Sequence, residues 1–269
     1  MTRIMIVGLA RSGTTLLQKL IGSFANVHTI PESHYFDYHY QNYDLFGFNY
    51  FKQKRYYDPK TLKKNIDDSL VGVKNLHPKT KQEFVAHFLS ILDNIATRHG
   101  KEIWLEKTPS HLEFIPLIES FTKEVDFIHL IRNPIDNVSS LVRASRLYPD
   151  YFKHQDLYKA IKRYRKYLAV SLKHSINKKH HLVKYENLCD DTEKYLTHFQ
   201  HLFELKKAEI SCPENIVQGH EEWKYQSLSN NVEKQTNKFE TLTKKEIKLL
   251  KDVMQKDMIQ YKKIEDGIN

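Results

Sequence analysis

The sequence predicts an α/β protein of three layers, in which helices cover both faces of a central parallel sheet. Short β-branched apolar runs alternate with amphipathic stretches along the 269 residues, and this alternation is typical of parallel strands joined by helices. The first strand leads into a glycine-bracketed loop that opens a helix, as in the P-loop topology of nucleotide kinases. No internal repeat and no linker rich in Gly, Ser or Pro interrupts the pattern. We therefore expect one domain over residues 1–269, with helical and aromatic-rich insertions.

The first elements follow from the spacing of apolar residues. Ile4–Val7 is a short buried run that ends at Gly8 and predicts a strand. Apolar residues then return three and four positions apart, as on one face of a helix, at Leu16, Leu17, Leu20, Ile21 and Phe24. A second extended run spans residues 27–30.

The rest of the chain repeats this alternation. Strands are predicted at 103–105, 126–131 and 181–185, and helices at 84–95, 111–121, 135–146, 157–176, 193–203 and 243–261. The last helix begins with the capping-box pattern Thr243-x-x-Glu246. Residues 35–102 are interpreted as an insertion on the acceptor side of the domain. Its aromatic-rich stretch, 35–57, is either an acceptor-binding loop or a hydrophobic cluster that tethers the insertion.

Composition narrows the class of protein without choosing a function. The chain has 42 Lys and Arg against 33 Asp and Glu, a net charge of +9, which favours anionic partners. The hydrophobic fraction of 40% excludes disorder of low complexity. The two cysteines allow at most one bridge, and no apolar run approaches the roughly 20 residues of a membrane helix. We expect a soluble, cytoplasmic protein with no transmembrane segment.

The loop after the first strand is predicted to bind an anion. Gly8 and Gly13 have the spacing of a Walker A loop, and backbone N–H groups at the following helix start form a ready anion site. However, Thr14 stands where a nucleoside triphosphatase needs its lysine. Arg11, whose fork can hold two oxygens, lies inside the loop instead. This pattern suits a less charged group than a terminal phosphoryl.

A second anion-binding element is predicted at Arg132 and Ser140. Arg132 closes a predicted strand, and Ser140 lies eight residues further on, in the next helix. Because ligands of open α/β sheets bind at the carboxyl ends of strands, Arg132 is placed at the same edge as the Gly8–Gly13 loop. A kinase would favour an Asp at such a strand end to order Mg²⁺.

These strings resemble the sulfotransferase family that uses 3′-phosphoadenosine 5′-phosphosulfate (PAPS). The main matches are GLARSGTTLL at 8–17 and IHLIRNPIDNVSS at 128–140, with support from EKTPSH at 106–111 and VKYENL at 183–188. An arginine rather than a lysine in the loop is closer to the tyrosylprotein and carbohydrate branches. The resemblance implies sulfuryl transfer from PAPS to an acceptor hydroxyl or amine by direct in-line displacement, with no metal.

The resemblance also implies roles for individual residues. The donor would be bound by Arg11, Ser12, Gly13, Thr14, Thr15, Arg132, Ser140 and Tyr185, of which Arg132 and Ser140 hold the 3′-phosphate and Tyr185 lies near it. Arg11 and Lys107 would neutralise charge on the bridging and sulfuryl oxygens. Glu32 occupies the place comparable to that of the glutamate that acts as general base in the tyrosylprotein branch.

Several alternatives stay open within this interpretation. His34 rivals Glu32 as base, because its usual pKa suits proton transfer near neutrality. Arg143 or Arg146 could be a further donor-binding arginine, and Gln235–Phe239 is our placement of the adenine-covering loop. The acceptor is a glycan, lipid, peptide or small alcohol, with a glycan or glycolipid favoured.

Other functions are weighed against sulfuryl transfer. A P-loop nucleotide or metabolite kinase lacks support because the Walker lysine and the strand-end Asp are missing. A basic module that binds polyanions is compatible with the net charge, but no nucleic-acid-binding motif is present. Metal sites at His34, Asp37 and His39, or at His180 and His181, are not expected, since no Cys/His spacing resembles structural zinc.

Overall fold

A computed structural model describes residues 1–39, 80–152, 155–208, 216, 232–236 and 239–267 of the chain. Most of the predicted aromatic-rich stretch, and with it most of the proposed insertion, lies outside the described residues. Among the described residues, no helix is both long enough and apolar enough to cross a membrane.

The predicted fold class is confirmed by a five-stranded sheet in which every pairing is parallel. The strands are β1 (Thr2–Gly8), β2 (Val27–Thr29), β3 (Ile103–Lys107), β4 (Val125–Ile131) and β5 (His180–Lys184), in the spatial order β2-β3-β1-β4-β5. The strand order reverses at β1, which pairs with β3 on one side and β4 on the other. In open α/β sheets, ligands bind at the carboxyl ends of strands beside such a reversal.

Helices cover the sheet and carry most of its connections. They are α1 (Thr14–Gly22), α2 (Tyr35–His39), α3 (Lys81–Arg98), α4 (Ile115–Glu119), α5 (Pro134–Leu147), α6 (Leu157–His174), α7 (Tyr185–Asp190), α8 (Thr192–Phe203), α9 (Lys244–Val253) and α10 (Gln255–Lys263). The predicted capping box at the start of α9 is confirmed: the Thr243 side chain accepts from the Glu246 N–H, and the Glu246 side chain accepts in return.

The core lies on both faces of the sheet, because successive strand residues point to opposite sides. One set packs with α3, α5 and α6 and includes Met5, Val7, Trp104, Phe127 and Ile131. The other set packs with α1 and α8 and includes Ile4, Ile6, Leu105, Ile128 and Leu130. Burial on both faces explains why these strands read as continuous apolar runs.

Two predicted helices are wrong in detail. The helix expected over 111–121 is a 3₁₀ turn at Pro109–Phe114 followed by the short α4. Pro116 has no N–H to continue an α-helical ladder through this point. The helix expected over 243–261 breaks at Met254, which is fully buried and takes a non-helical conformation between α9 and α10.

Candidate functional site

The loop between β1 and α1 has a tightly constrained backbone. Gly8 packs so closely on β4 that a Cβ there would lie 2.5 Å from the Leu130 carbonyl oxygen. Arg11 and Gly13 have φ values of 71° and 99°, in the left-handed region that is costly for a non-glycine residue such as Arg11. The chain thus turns sharply and starts α1 at Thr14, where Thr14 and Thr15 are buried in the first turn. Unpaired N–H groups at such a helix start favour an anion.

Arg132 lies beside this loop, as the sequence predicted. It follows the last residue of β4, and Asn133 caps the next helix by accepting from the N–H groups of Ile135 and Asp136. Arg132 is buried, and its Nη1 donates to the Arg11 carbonyl oxygen at 2.8 Å. Within the described part of the chain its Nε is buried without a partner, and such an orphaned donor needs an explanation.

Arg11 and Ser140 also meet at this edge. The Arg11 Nε donates to the Ser140 Oγ at 3.4 Å, across 129 residues of sequence. Burial, together with the positive charges of Arg132 and Arg143, lowers the pKa of the Arg11 guanidinium to about 10. Cations held together against their mutual repulsion are a strong indication of an anion site.

Arg143, and not Arg146, belongs to this cluster. The charge of Arg143 acts on Arg11, whereas Arg146 forms an ion pair with Glu246 at 2.5 Å on the first turn of α9. The two arginines stand three positions apart on α5, and Arg146 is paired with a residue of α9 instead. Sequence reasoning left this choice open.

Tyr185 closes the other side of the loop. Its ring packs against Gly13, where a Cβ would lie 2.4 Å from the Tyr185 Cδ2, and the Arg132 guanidinium lies 4.6 Å from the ring centroid. The Tyr185 hydroxyl accepts from the Gln235 N–H at 3.1 Å, and Arg132 donates to the Gln235 carbonyl oxygen. Gln235, the first residue of the stretch placed over the adenine, therefore contacts two candidate donor-binding residues. Residues 237–238 lie outside the described residues.

Lys107 and Glu32 form an ion pair at the same edge of the sheet. Lys107 ends β3 beside Ile6 of β1, and its fully buried Nζ donates to the Glu32 Oε1 at 2.5 Å. The negative charge of Glu32 acts on Arg11, so the pair lies close to the anion-binding loop. The structure thus places Glu32, Lys107 and Arg11, the three residues predicted to be catalytic, in the same part of the molecule.

His34 lies on the far side of Glu32. Its Nε2 faces the Glu32 Oε2 at 3.2 Å, and its Nδ1 faces the Asp37 Oδ2 at 2.9 Å. Burial opposes a charge on this imidazole, but the two carboxylates outweigh burial and raise the pKa of His34 to about 10. His34 is therefore protonated at neutral pH. The side chain of His39, the third residue of the metal set considered above, lies outside the side chains that the structure describes.

Sequence reasoning missed the buried carboxylate that holds this region together. Glu106 is fully buried, and its Oε1 accepts from the hydroxyls of Ser33 at 2.7 Å and Thr108 at 2.5 Å. Its Oε2 lies 3.1 Å from the His111 Nδ1. The network ties the segment that carries Glu32 to the end of β3. A carboxylate inside an otherwise apolar strand was the available signal.

We expect Glu106→Gln to destabilise the fold by about 1–3 kcal/mol, the usual cost of leaving buried hydrogen-bonding groups without a partner. Burial alone would raise the pKa of Glu106, but His111 and the two hydroxyls outweigh it and lower the pKa. A lowered folded-state pKa means that this stabilisation is present above the usual Glu range and is lost as the pH falls below it.

Urea unfolding of wild type and variant across this pH range measures the effect. Glu102→Gln, an exposed change one residue before the same strand, serves as the control. Equal unfolding midpoints for the Glu106 variant and wild type would contradict the structural role of the network.

The assembled site can hold anionic groups and present a carboxylate to a nearby nucleophile. Its anion-binding part combines the start of α1 with arginines from the loop, from the end of β4 and from α5. Ser12 adds a buried hydroxyl with no partner in the described ranges. Beside this anion-binding part lies the ionic row formed by Lys107, Glu32 and His34.

Comparisons with known proteins identify the family of this chain and proteins of similar fold. A family model described as the Sulfotransferase family matches residues 3–209. The sulfotransferase domain of the Synechococcus PCC 7002 olefin synthase is similar in structure, with a TM-score of 0.57 at 17% identity over 94% of each chain. A search of curated proteins gave no match.

Two further solved structures show the same fold. The sulfotransferase domain from the curacin biosynthetic pathway has a TM-score of 0.58 at 15% identity, covering 94% of this chain and 97% of that one. A sulfotransferase from Mycobacterium avium has a TM-score of 0.51 at 12% identity, covering 99% of this chain and 78% of that one. Since the family model spans well over half of its residues, the chain belongs to the Sulfotransferase family.

Proposed function

We propose that this protein transfers a sulfuryl group from PAPS to a hydroxyl or amine of an acceptor. The observation that carries the proposal is the convergence of Arg11, Arg132 and Ser140 at the start of α1, with the Lys107–Glu32 pair beside them. Anion-binding groups next to a carboxylate suit the transfer of an anionic group to a protic nucleophile.

The residues present fit such a donor. Arg11, Ser12, Gly13, Thr14 and Thr15 would hold the 5′-phosphosulfate at the helix start.

Arg132 and Ser140 would hold the 3′-phosphate, and the unpartnered Arg132 Nε would find its acceptor there. Tyr185, which packs on both Gly13 and Arg132, would fix the distance between the two phosphate sites. PAPS would supply the sulfuryl group and leave as adenosine 3′,5′-bisphosphate. The arginine cluster supplies positive charge of the kind that Mg²⁺ supplies in kinases, so we propose a donor site that works without metal.

Glu32 is the proposed general base in preference to His34. A protonated imidazole has no lone pair to accept a proton, and the pKa of His34, raised to about 10, keeps it protonated at neutral pH. Both ring nitrogens also face carboxylate oxygens. His34 then acts as a positioning residue that orients Glu32, with Asp37 behind it.

We assign Lys107 two roles, one in positioning the base and one in stabilising the transition state. Its Nζ holds the Glu32 Oε1 in place. We also assign Lys107 the neutralisation of charge on the sulfuryl oxygens as transfer proceeds, because it ends β3 beside Ile6 of β1, the strand that leads into the loop. The Glu32 Oε1 would then take the proton of the acceptor. The proposed acceptor class is a glycan or glycolipid, for which the arginine in the loop and the aromatic-rich 35–57 sequence are the support.

A thermal-shift experiment tests the donor site directly. Adenosine 3′,5′-bisphosphate with EDTA is expected to raise Tm by several degrees, because a ligand at 100 times its Kd adds about 2.7 kcal/mol to the folded state. The control is ATP with Mg²⁺, for which we expect a smaller shift. Stabilisation by ATP with Mg²⁺ alone would favour a kinase and reject the proposal.

A further inference from the structure

A cluster of histidines lies away from the proposed active site. It joins the last residue of α4, Glu119, the last residue of α6, His174, and the first residue of β5, His180. These positions are at the amino-terminal edge of the sheet, whereas the anion-binding loop and Arg132 lie at the carboxyl-terminal edge. The proposed sulfuryl transfer uses none of these residues.

The cluster brings three metal-ligand atoms together. The Glu119 Oε1 lies 3.1 Å from the His180 Nε2, and the Glu119 Oε2 lies 3.2 Å from the His174 Nδ1. One ligand atom from each of the three residues lies within 4.8 Å of the others. Two ligands at about 2.0–2.1 Å from a tetrahedral zinc ion stand roughly 3.3 Å apart, so small movements would bring this set onto one ion.

Two further side chains, His129 and Ser171, form a chain of contacts with the other ring nitrogen of His180. The His180 Nδ1 lies 2.7 Å from the Nε2 of His129, whose Nδ1 lies 3.2 Å from the Ser171 Oγ. If His180 carries its proton on Nδ1, it donates to His129, which donates in turn to Ser171, and the His180 Nε2 keeps a lone pair directed at Glu119. A metal-binding histidine typically donates its other N–H to such a partner, which fixes the tautomer.

The burial of the three side chains also suits a bound metal ion. The His180 side chain is fully buried, whereas those of His174 and Glu119 are 13% and 18% exposed. An ion can therefore enter from the solvent side and meet a ligand already held in place. Water would complete the coordination on that side, as it does where zinc has three protein ligands.

We propose that Glu119, His174 and His180 bind one zinc-type divalent transition-metal ion that joins α4, α6 and β5. The spacing of ligands in the sequence could not show this site, because Glu119 stands 55 positions before His174 and each ligand comes from a different element. The site is separate from the proposed metal-independent transfer.

Zinc titration of the full chain, stripped with EDTA and followed by calorimetry, tests the site without donor or acceptor. Wild type should bind one equivalent of Zn²⁺ at this site, and His174→Ala or Glu119→Gln should weaken that binding at least tenfold, the scale of losing even an outer-shell partner. His201→Ala, a change of an exposed histidine on α8, is the matched control and should leave the affinity unchanged.

A second readout guards against a variant that fails to fold. Zn²⁺ should raise the Tm of wild type and of His201→Ala but not that of His174→Ala, whose own melting transition reports its folding. Failure of wild type to bind Zn²⁺, or equal affinity in wild type and both ligand variants, would overturn the proposal.

Discussion

Replacing Arg11 with alanine should lower kcat for sulfuryl transfer by about 10²–10³, the usual cost of removing one donor that stabilises transition-state charge. Arg11 is held against Arg132 and Arg143 at the start of α1, with its pKa lowered to about 10. A bound anion offsets the repulsion among these three arginines. The effect is largest in the transition state, where negative charge develops on the transferred group. Release of adenosine 3′,5′-bisphosphate at saturating donor measures the effect.

The control for Arg11 is Arg98→Ala, which removes an exposed arginine at the end of α3 and should change kcat less than twofold. Arg11→Lys should recover part of the activity, because it keeps the charge but loses the two-oxygen fork. More than a tenth of wild-type turnover in Arg11→Ala would remove this residue from the chemistry.

Replacing Glu32 should lower turnover by about 10²–10⁴, the range typical of a general base. Both Glu32→Ala and the isosteric Glu32→Gln are expected to show this loss. Glu32→Gln is the sharper test, since a glutamine can still accept from Lys107 but cannot take a proton at neutral pH. Steady-state turnover with a reactive acceptor measures the loss in each variant.

Binding of adenosine 3′,5′-bisphosphate distinguishes a general base from a residue that only maintains the structure of the site. Glu32→Gln should keep the Tm shift caused by adenosine 3′,5′-bisphosphate, because Glu32 is not assigned to the donor. Glu193→Gln, an exposed change at the start of α8, is the control and should keep full turnover. The same turnover in Glu32→Gln and wild type would return the role of base to His34 or to another group.

The two predictions differ in what they report. The loss in Arg11→Ala tests the anion-binding part of the site, and the loss in Glu32→Gln tests the acid–base part. If only the first is observed, Arg11 takes part in transfer as proposed but the base is wrongly assigned. If neither is observed, the location of the site is wrong.

The elements that form the anion-binding edge could be predicted from sequence because they depend on neighbours in the chain. Gly8, Gly13 and the start of α1 lie within one short segment, and Arg132 follows directly on a continuous apolar strand. The parallel arrangement then requires both segments to end at the same edge of the sheet. Fold class and the meeting of Arg11 with Arg132 follow from these local patterns.

Other features depend on contacts between distant parts of the chain. The Lys107–Glu32 distance and the Glu106 network join segments more than 70 positions apart. The sequence pattern does not distinguish Arg143 from Arg146 as a donor-binding residue. The distinction depends on the ion pair that Arg146 forms with Glu246 of α9. The cluster of Glu119, His174 and His180 likewise arises where the last residues of α4 and α6 meet the first residue of β5.

The sequence by itself determined the parallel α/β fold, the glycine-bracketed loop before α1 and the family resemblance, because hydrophobic period and glycine placement act over a few residues. Only the tertiary structure decided which charged side chains pair: Glu32 with Lys107 and His34, Arg146 with Glu246, and Glu119 with two histidines. A side chain's protonation and partners depend on burial and on charges a few ångströms away, and folding brings those groups together from distant positions.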